Sequence, residues 1–408
     1  MRCDTPPRME DVNDRDSSDD DAPADMDDIE IVEVYEDGAS DLSDEEEEEA
    51  AGGDLPEEDN DVPLDEAAVS FAAHQGSAFV CAVSGDGQYL VTGGEDDRGC
   101  VWLLDSGELV FACSGHTDSV TGAAFNHDST LVATADMSGS VHVWSMETRQ
   151  SVCDLDTNTD LNWIDWHRQA NVLLAGTADG TVWMWQVPSG QCKTMQGPGV
   201  SCGAGRVLAD GRRAAAGYDD GSVRVWDLKS SSVNHSLAGP SQTHSAAVTC
   251  LDAGGELVAT AATDVRLLHA GTGRLLAALA LGAGGGGDGA GDADTVEALS
   301  LDCQQRTLAA GLLSGRLSLW DLGALVEKQS CPHPAGVTRA LWHGPHTVIT
   351  GCLDGTVRAW DARMGQPTVC WKAHRHDILD LALSPDGQCV VSVSDSGTCT
   401  VHRFASPN

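Results

Sequence analysis

The sequence has few basic residues and lacks the long apolar segments of membrane proteins. It contains 23 Lys and Arg against 64 Asp and Glu, a net charge of −41. This charge disfavours binding to nucleic acid or anionic lipid and favours basic protein partners. No run of about 18 uncharged apolar residues occurs, and the N-terminus lacks a signal-peptide pattern. We therefore expect a cytoplasmic, monomeric protein that associates with the plasma membrane only through partners.

Motifs for metal binding, nucleotide binding and catalysis are also missing. The 14 cysteines are scattered singly, without the spacing of a zinc site. A P-loop, a Gly-x-Ser-x-Gly elbow and a His-Glu-x-x-His motif are absent. Gly282, Gly284 and Gly287 match Gly-x-Gly-x-x-Gly, but no βαβ pattern surrounds them, which favours a flexible Gly-rich insertion at 282–294. The sequence predicts no cofactor, no metal and no enzymatic activity.

Residues 1–66 differ from the rest of the chain in composition. They hold 29 Asp and Glu, and Tyr35 is their one aromatic residue. Such a segment buries too little apolar area to offset the entropy of ordering, so it is predicted to be a disordered acidic tail. Within it, Ile29–Val34 alternates apolar and acidic residues. This motif either fluctuates without a partner or is a short peptide that pairs with a sheet edge or docks on a partner.

Residues 67–408 repeat a unit of short strands separated by Gly, Asp and Ser turns. In six units the third strand ends near a tryptophan, and in the other two units another residue occupies this closing position. The closing positions are Trp102, Trp144, Trp185, Trp226, a position near His269, Trp320, Trp360 and a position near His402. Eight units follow from this spacing.

Two further landmarks keep the same register. A histidine precedes the closing position by 27 or 28 residues at His74, His116, His333 and His374. An aspartate precedes the tryptophan by six residues at Asp96, Asp179, Asp220 and Asp354. These His, Asp and Trp positions together resemble the WD40 family. The resemblance implies an all-β fold, a single eight-bladed β-propeller, in which these residues satisfy buried polar groups and are structural.

The two ends of the repeat array are complementary. The last unit ends after its third strand, whereas Val69–Ala73 precedes the first histidine and has the pattern of a fourth strand. We predict that this segment pairs with about Thr398–Phe404 and closes the ring.

Longer stretches resemble one WD40 subfamily, that of the angio-associated migratory cell protein. The stretches are Thr92–Asp97, Asp128–Thr134, Asp136–Gly139, Leu173–Gly180, Trp183–Trp185 and Cys192–Thr194. The resemblance implies a protein-interaction scaffold with a role in cell migration and angiogenesis. The subfamily is also similar to a yeast eight-bladed propeller that chaperones a basic ribosomal protein of the large subunit, and this gives the alternative function.

One side of such a propeller is predicted to be acidic. The loops before the inner strands and the turns between second and third strands lie on that side. They place there Glu95, Asp97, Asp118, Asp136, Asp160, Asp219, Asp377 and Asp395, with Trp163 and Trp166 as aromatic contacts for arginine. Partners would be proteins with basic segments. The alternatives are ordinary solvated turns for the acids and core positions for Trp163 and Trp166.

Overall fold

The computed structural model describes residues 64–65, 67–239, 241–281 and 294–404. Within them, 32 strands form eight antiparallel sheets of four strands, and no helix occurs. The predicted eight-bladed all-β propeller is thereby confirmed. The acidic tail, apart from Leu64 and Asp65, and the Gly-rich insertion, apart from Asp294, lie outside the described residues.

The blades are numbered in chain order, and in each the first strand is innermost. Blade 1 contains β2 (Ala78–Val83), β3 (Tyr89–Gly94), β4 (Gly99–Leu103) and β5 (Leu109–Cys113). Blade 2 contains β6 (Val120–Phe125), β7 (Leu131–Asp136), β8 (Ser140–Ser145) and β9 (Ser151–Asp156). Blade 3 contains β10 (Leu161–Trp166), β11 (Val172–Thr177), β12 (Thr181–Gln186) and β13 (Gln191–Gln196). Blade 4 contains β14 (Ala204–Val207), β15 (Arg213–Gly217), β16 (Val223–Asp227) and β17 (Ser232–Leu237).

The second half of the ring follows the same order. Blade 5 contains β18 (Cys250–Gly254), β19 (Leu257–Ala261), β20 (Val265–His269) and β21 (Arg274–Leu279). Blade 6 contains β22 (Val296–Leu301), β23 (Thr307–Leu312), β24 (Arg316–Asp321) and β25 (Val326–Pro332). Blade 7 contains β26 (Val337–His343), β27 (Thr347–Cys352), β28 (Thr356–Asp361) and β29 (Gln366–Lys372). Blade 8 contains β30 (Ile378–Leu383), β31 (Cys389–Ser394), β32 (Thr398–Arg403) and β1 (Val69–Ala72).

Burial follows the position of a strand within its blade. The second strands, such as β7 and β31, are buried along nearly their whole length because a neighbouring blade packs on each side. Their sequences are accordingly near-continuous runs of small and β-branched residues. The outermost strands, such as β13, expose most of their side chains. The core is therefore a set of clusters between adjacent blades.

Blade 5 keeps the strand geometry of the repeat without its tryptophan. Val258 pairs with Leu268, as Val348 pairs with Trp360 in blade 7, and both pairs adjoin a register shift. Leu268 is fully buried. The tryptophan position of blade 5 is therefore Leu268, one residue before the position near His269 that the spacing suggested. In blade 8, His402 occupies the corresponding position opposite Val390.

The ring is closed by the N-terminal strand. β1 pairs antiparallel with β32, with Val69 opposite Val401 and Ala72 opposite Thr398. The innermost strands contact each other around the whole circle, including β2 against β30. The predicted closure is confirmed, and the last blade gains its fourth strand from the other end of the described chain.

Candidate protein-binding face

Blade 1 shows how the repeat residues fix the geometry of a blade. His74 Nε2 lies 2.7 Å from Thr92 Oγ1, and Trp102 Nε1 donates to the same hydroxyl at 2.9 Å. His74 Nδ1 lies 2.8 Å from Asp96, whose other carboxylate oxygen accepts the Gln75 amide. Burial lowers the pKa of His74, and the bond to Asp96 opposes this shift. The set ties the loop before β2 to the two central strands.

Blade 7 uses the same parts with a different connection. His333 Nδ1 donates to the Cys331 carbonyl, so its Nε2 is the acceptor for Thr350 and for Trp360 Nε1, at 3.0 and 3.1 Å. Asp354 is not bonded to this histidine and instead pairs with Arg358 at 2.5 Å. In blade 8, His374 bonds Ser392 and Thr398. The predicted structural roles of His333, Asp354, Trp360 and His374 fit these contacts.

The blades without the histidine satisfy fewer buried groups. In blade 3, Asp179 accepts from the Thr177 hydroxyl and the Thr181 amide, and Trp185 is buried. In blade 4, Asp220 accepts the Ser222 amide. The indole nitrogens of Trp226 and Trp320 are buried without a hydrogen-bond partner among the described residues. These blades rely on packing in place of a polar set.

Asp136 is a correction to the predicted acidic face. Its carboxylate is fully buried, 3.0 Å from His116 Nδ1, and accepts from the Ser138 hydroxyl at 2.7 Å. Thr134 joins His116 to Trp144 as Thr92 does in blade 1. Asp136 is therefore the structural aspartate of blade 2, out of reach of any partner.

A repeating backbone bond places two kinds of loop at one end of the ring. In seven blades, the amide of a residue between the second and third strands donates to a carbonyl in the loop before the first strand. The pairs are Glu95–Ser77, Met137–Ser119, Ala178–Asp160, Asp219–Ser201, Leu313–Thr295, Leu353–Gly336 and Asp395–Asp377. These loops therefore form one continuous surface.

Seven of the predicted acidic residues lie on this surface, which we call the acidic face. They are Glu95, Asp97, Asp118, Asp160, Asp219, Asp377 and Asp395, and all are exposed. They belong to five consecutive blades, numbers 8 and 1 to 4, so the charge forms an arc and leaves blades 5 to 7 without these acids. Glu95 and Asp395 both hold Ser77, through its amide and its hydroxyl.

Exposed apolar side chains on the same surface were missed from the sequence. Met137 and Leu313 occupy the turn position that Glu95 holds in blade 1, with 48% and 44% of their surface exposed. Val200 lies in the loop before β14 and is 36% exposed. Aligning the turns by repeat position would have revealed Met137 and Leu313, because Glu95 is their counterpart. The face combines negative charge with apolar contact area.

Trp163 does not lie on the acidic face as predicted. Its indole fills the space over Gly176 and Gly205, and a Cβ added at either glycine would fall within about 2 Å of the ring. The indole therefore packs between blades 3 and 4, and its nitrogen is buried. Trp166 is buried as well and donates to the Ala124 carbonyl of blade 2. Both tryptophans are packing residues.

Charged side chains on the innermost strands join blades at the centre of the ring. Asp380 accepts Arg339 Nε at 2.6 Å and the Cys81 amide of blade 1 at 3.0 Å. Asp165 accepts the Val207 amide of blade 4 at 2.8 Å. Asp252 likewise accepts the Leu301 amide of blade 6 at 2.8 Å. These contacts are structural, since each carboxylate satisfies a backbone donor of the next blade.

The described residues contain no cluster of His, Cys, Asp and Glu that could hold a metal ion. In that same part of the chain, no helix has the length and hydrophobicity needed to cross a membrane.

The comparisons with known proteins agree with this architecture. The model of the WD domain, G-beta repeat, matches residues 66–102, 107–145, 149–186, 190–227, 327–361 and 365–403. The gap between the fourth and fifth matched segments, 228–326, covers β17 of blade 4, blade 5 and the first three strands of blade 6. The angio-associated migratory cell protein of Homo sapiens is 42% identical over 84% of this chain and 81% of its own length. An uncharacterized WD repeat-containing protein of Schizosaccharomyces pombe is 27% identical over 82% of this chain and 86% of its own length.

Solved structures of Sqt1 from Chaetomium thermophilum have the same fold. One has a TM-score of 0.75 at 20% identity and covers 83% of this chain and 98% of its own. A second, bound to the N-terminus of the ribosomal protein L10, has a TM-score of 0.74 at 21% identity and covers 83% of this chain and 99% of its own. The repeat model and the 42% identity show that the chain belongs to the WD40 family, as a relative of the angio-associated migratory cell protein.

Proposed function

We propose that this WD40 propeller is a non-enzymatic scaffold that binds a basic segment of a protein partner on the acidic face. The observation that carries the proposal is the arc of seven exposed carboxylates on five consecutive blades. Several carboxylates at one surface attract a cationic segment at long range and select against acidic partners. We also propose a cytoplasmic location, where soluble proteins with basic segments are available as partners.

The apolar side chains on the acidic face define the partner further. Charge pairs at an exposed rim contribute little affinity each, whereas buried apolar anchors contribute more. Met137 and Val200 lie in blades 2 and 4, within the acidic arc, and both are exposed. A basic segment that carries apolar residues between its Lys and Arg would use both features.

Charge reversal tests the acidic face directly. Asp118→Lys with Asp377→Lys changes two exposed residues in blades 2 and 8. The matched control is Glu108→Lys with Glu147→Lys, which reverses two exposed acids at the opposite ends of the strands. Affinity purification at about 50 mM and about 200 mM salt, where screening differs strongly, should recover a partner that the first variant loses and the control keeps. Equal recovery by all three proteins would contradict the proposal.

The chaperone of a basic ribosomal protein is a second candidate for this face. It is favoured by one observation: a Sqt1 propeller of the same fold is bound to the N-terminus of the ribosomal protein L10. The first candidate draws instead on the relationship to the angio-associated migratory cell protein, whose name indicates cell migration and angiogenesis.

The recovered partner separates the two candidates. A single stoichiometric ribosomal protein, lost on charge reversal at Asp118 and Asp377, supports the chaperone. Signalling or membrane-associated proteins lost on the same reversal support the scaffold in migration. Recovery of signalling proteins that is insensitive to the reversal would exclude the acidic face as the site in both.

A further inference from the structure

A second surface lies at the other end of the strands, between blades 3 and 4. It is a cavity of about 670 Å³ formed by β12, β13 and the turns that precede β15 and follow β16. The turns between first and second strands and between third and fourth strands meet here, so the cavity is on the side opposite the acidic face. Its volume falls in the range of ligand sites, roughly 300 to 1,000 Å³.

The cavity is cationic in a chain that is otherwise acidic. Lys193, Arg212 and Lys229 line it, against a single carboxylate, Asp227. Its Oδ1 accepts both the amide and the hydroxyl of Ser230 at 2.7 Å, and the three cations outnumber this one carboxylate. Lys193 Nζ donates to the Lys229 carbonyl at 3.1 Å. No ion pair joins Arg212 or Lys229 to a described acidic residue within 4.0 Å, so their charge is available to a ligand.

Comparison of the repeats shows that this pair of cations is particular to blade 4. The amide of Leu228 donates to the Arg212 carbonyl, and the same bond occurs in the other blades. It places Gln88 of blade 1, Thr130 of blade 2 and Glu256 of blade 5 at the position of Arg212. The position of Lys229 is then Asp105, Glu147 and Gly271 in these blades. The cations are therefore not a property of the fold.

Blade 7 comes nearest to this arrangement and differs in the ion pairs that its cations make. It has His346 and Arg363 at the two positions, beside a cavity of about 510 Å³ that is also lined by Arg306, Lys328 and Asp302. Arg363, however, donates to Asp361 at 2.7 Å, where the equivalent Asp227 of blade 4 is bonded to serine. Beside blade 7, Arg363 and Lys328 are thus held in close ion pairs with Asp361 and Asp321, whereas no such pair holds Arg212 or Lys229 of blade 4 within the described residues.

The floor of the cavity is apolar. Val172 and Met184 are partly buried, and Leu228 is buried. Next to them, the outer edge of β13 is unpaired, since this strand bonds only to β12. A small inorganic anion would use the cations alone. An extended chain with acidic side chains and an apolar one would use the cations, the floor and the strand edge.

We infer that the cavity between blades 3 and 4 binds an extended acidic peptide of a partner protein, with an apolar side chain on Val172, Met184 and Leu228. Arg212 and Lys229 hold the carboxylates. The site is independent of the acidic face, so the chain offers one surface to a basic segment and the other to an acidic one.

The test measures fluorescence anisotropy of a labelled nonapeptide of Asp and Glu with one central Phe, at about 50 mM salt. Binding to the full chain should weaken at least about tenfold in Arg212→Gln with Lys229→Gln, a loss of two charge-assisted contacts. Both side chains are exposed, so thermal melting should stay unchanged. The control, Arg149→Gln with Arg274→Gln, removes two exposed cations from blades 2 and 5 and should bind as the parent does.

A second peptide with Ser in place of Phe isolates the apolar contact. This peptide should bind several-fold more weakly than the Phe peptide. Inorganic phosphate, added at the same concentration of negative charge as the peptide, should fail to displace the Phe peptide. Equal affinity of the two peptides, or displacement by phosphate, would reduce the site to a general anion site and overturn the inference. Equal weakening in both double variants would overturn it too, because net charge alone would then explain binding. Loss of binding to the acidic face leaves these results unaffected, so the two proposals fail separately.

Discussion

His333 shows how one buried ring makes blade stability depend on pH. Its Nδ1 donates to a carbonyl and its Nε2 accepts from Trp360, so a second ring proton would point at the indole N–H. Burial lowers the pKa of His333 from 6.5 to about 4. Above pH 6.5 the ring is neutral in the folded and unfolded states. Below pH 6.5, His333 becomes protonated in the unfolded chain, whereas in the folded chain it stays neutral down to about pH 4. The stability of the folded protein therefore decreases as the pH is lowered.

We predict that the unfolding free energy of the protein decreases between pH 7 and pH 5, with a contribution of about 2 kcal/mol from His333. Urea unfolding at both pH values should show a smaller decrease in His333→Gln than in the parent. His346→Gln, at an exposed position of the same blade, should keep the parent slope. A His333→Gln slope equal to that of the parent would contradict the neutral-ring arrangement.

Trp360 and Trp320 separate the hydrogen bond of the repeat tryptophan from its packing. Trp360 Nε1 lies 3.1 Å from His333 Nε2 and 3.2 Å from Thr350 Oγ1, whereas Trp320 Nε1 has no partner among the described residues. Both indoles are buried. Trp360→Phe should therefore cost about 1 to 2 kcal/mol more than Trp320→Phe in urea unfolding, since only the former leaves buried acceptors without their donor. Equal costs would assign the whole role of this position to packing.

At the scale of elements, β1 is a strand whose removal opens the ring. It supplies the fourth strand of blade 8 through pairing from Val69 to Ala72. Without it, the edge of β32 would be unpaired and Phe71 would lose its packing on Trp102, at a centroid distance of 4.7 Å. A chain that begins at residue 64 should melt like the full chain. A chain that begins at residue 76 also lacks His74 and should melt several degrees lower or fail to fold.

A finer variant separates the strand from the histidine. Val69→Pro with Phe71→Pro keeps His74 and blocks pairing of β1, because proline donates no backbone bond. It should lower the melting temperature nearly as far as the longer deletion does. Equal melting temperatures of the chains beginning at residues 64 and 76 would show that pairing of β1 with β32 does not stabilise the ring.

The elements of the fold could be predicted from the sequence, because the repeat residues recur at positions that the strands impose. The assignment of single residues was less complete. In blade 2 the structural carboxylate comes from Asp136, at the position of Gly94 in blade 1, and Ser138 occupies the usual aspartate position. A shift of two residues within a turn is invisible to spacing measured from the tryptophan. Trp163 was misplaced for a related reason: only the glycines of two strands show that its ring packs between blades.

At the scale of the whole molecule, the arrangement of charged residues around the ring is uneven. Residues 67–408 carry 35 acidic and 20 basic residues, and the seven exposed acids of the acidic face lie on five consecutive blades. Other exposed acids, such as Glu108 and Glu147, lie at the opposite end. The cavity of blades 3 and 4 at the other end is lined by three cations. This local clustering of charge could not be derived from composition, because it depends on which turns the antiparallel strands bring to each end.

This uneven charge makes salt a stabilising agent for the folded ring. Carboxylates held on one surface repel each other, and raising the ionic strength from about 0.02 M to about 0.2 M shortens the screening length from about 20 Å to about 7 Å. The melting temperature should therefore rise with NaCl over this range. The rise should be smaller in Asp118→Lys with Asp377→Lys, where the arc is interrupted, than in Glu108→Lys with Glu147→Lys, which has the same net charge. Equal rises in the two variants would show that total charge, and not its concentration on the acidic face, governs the salt response.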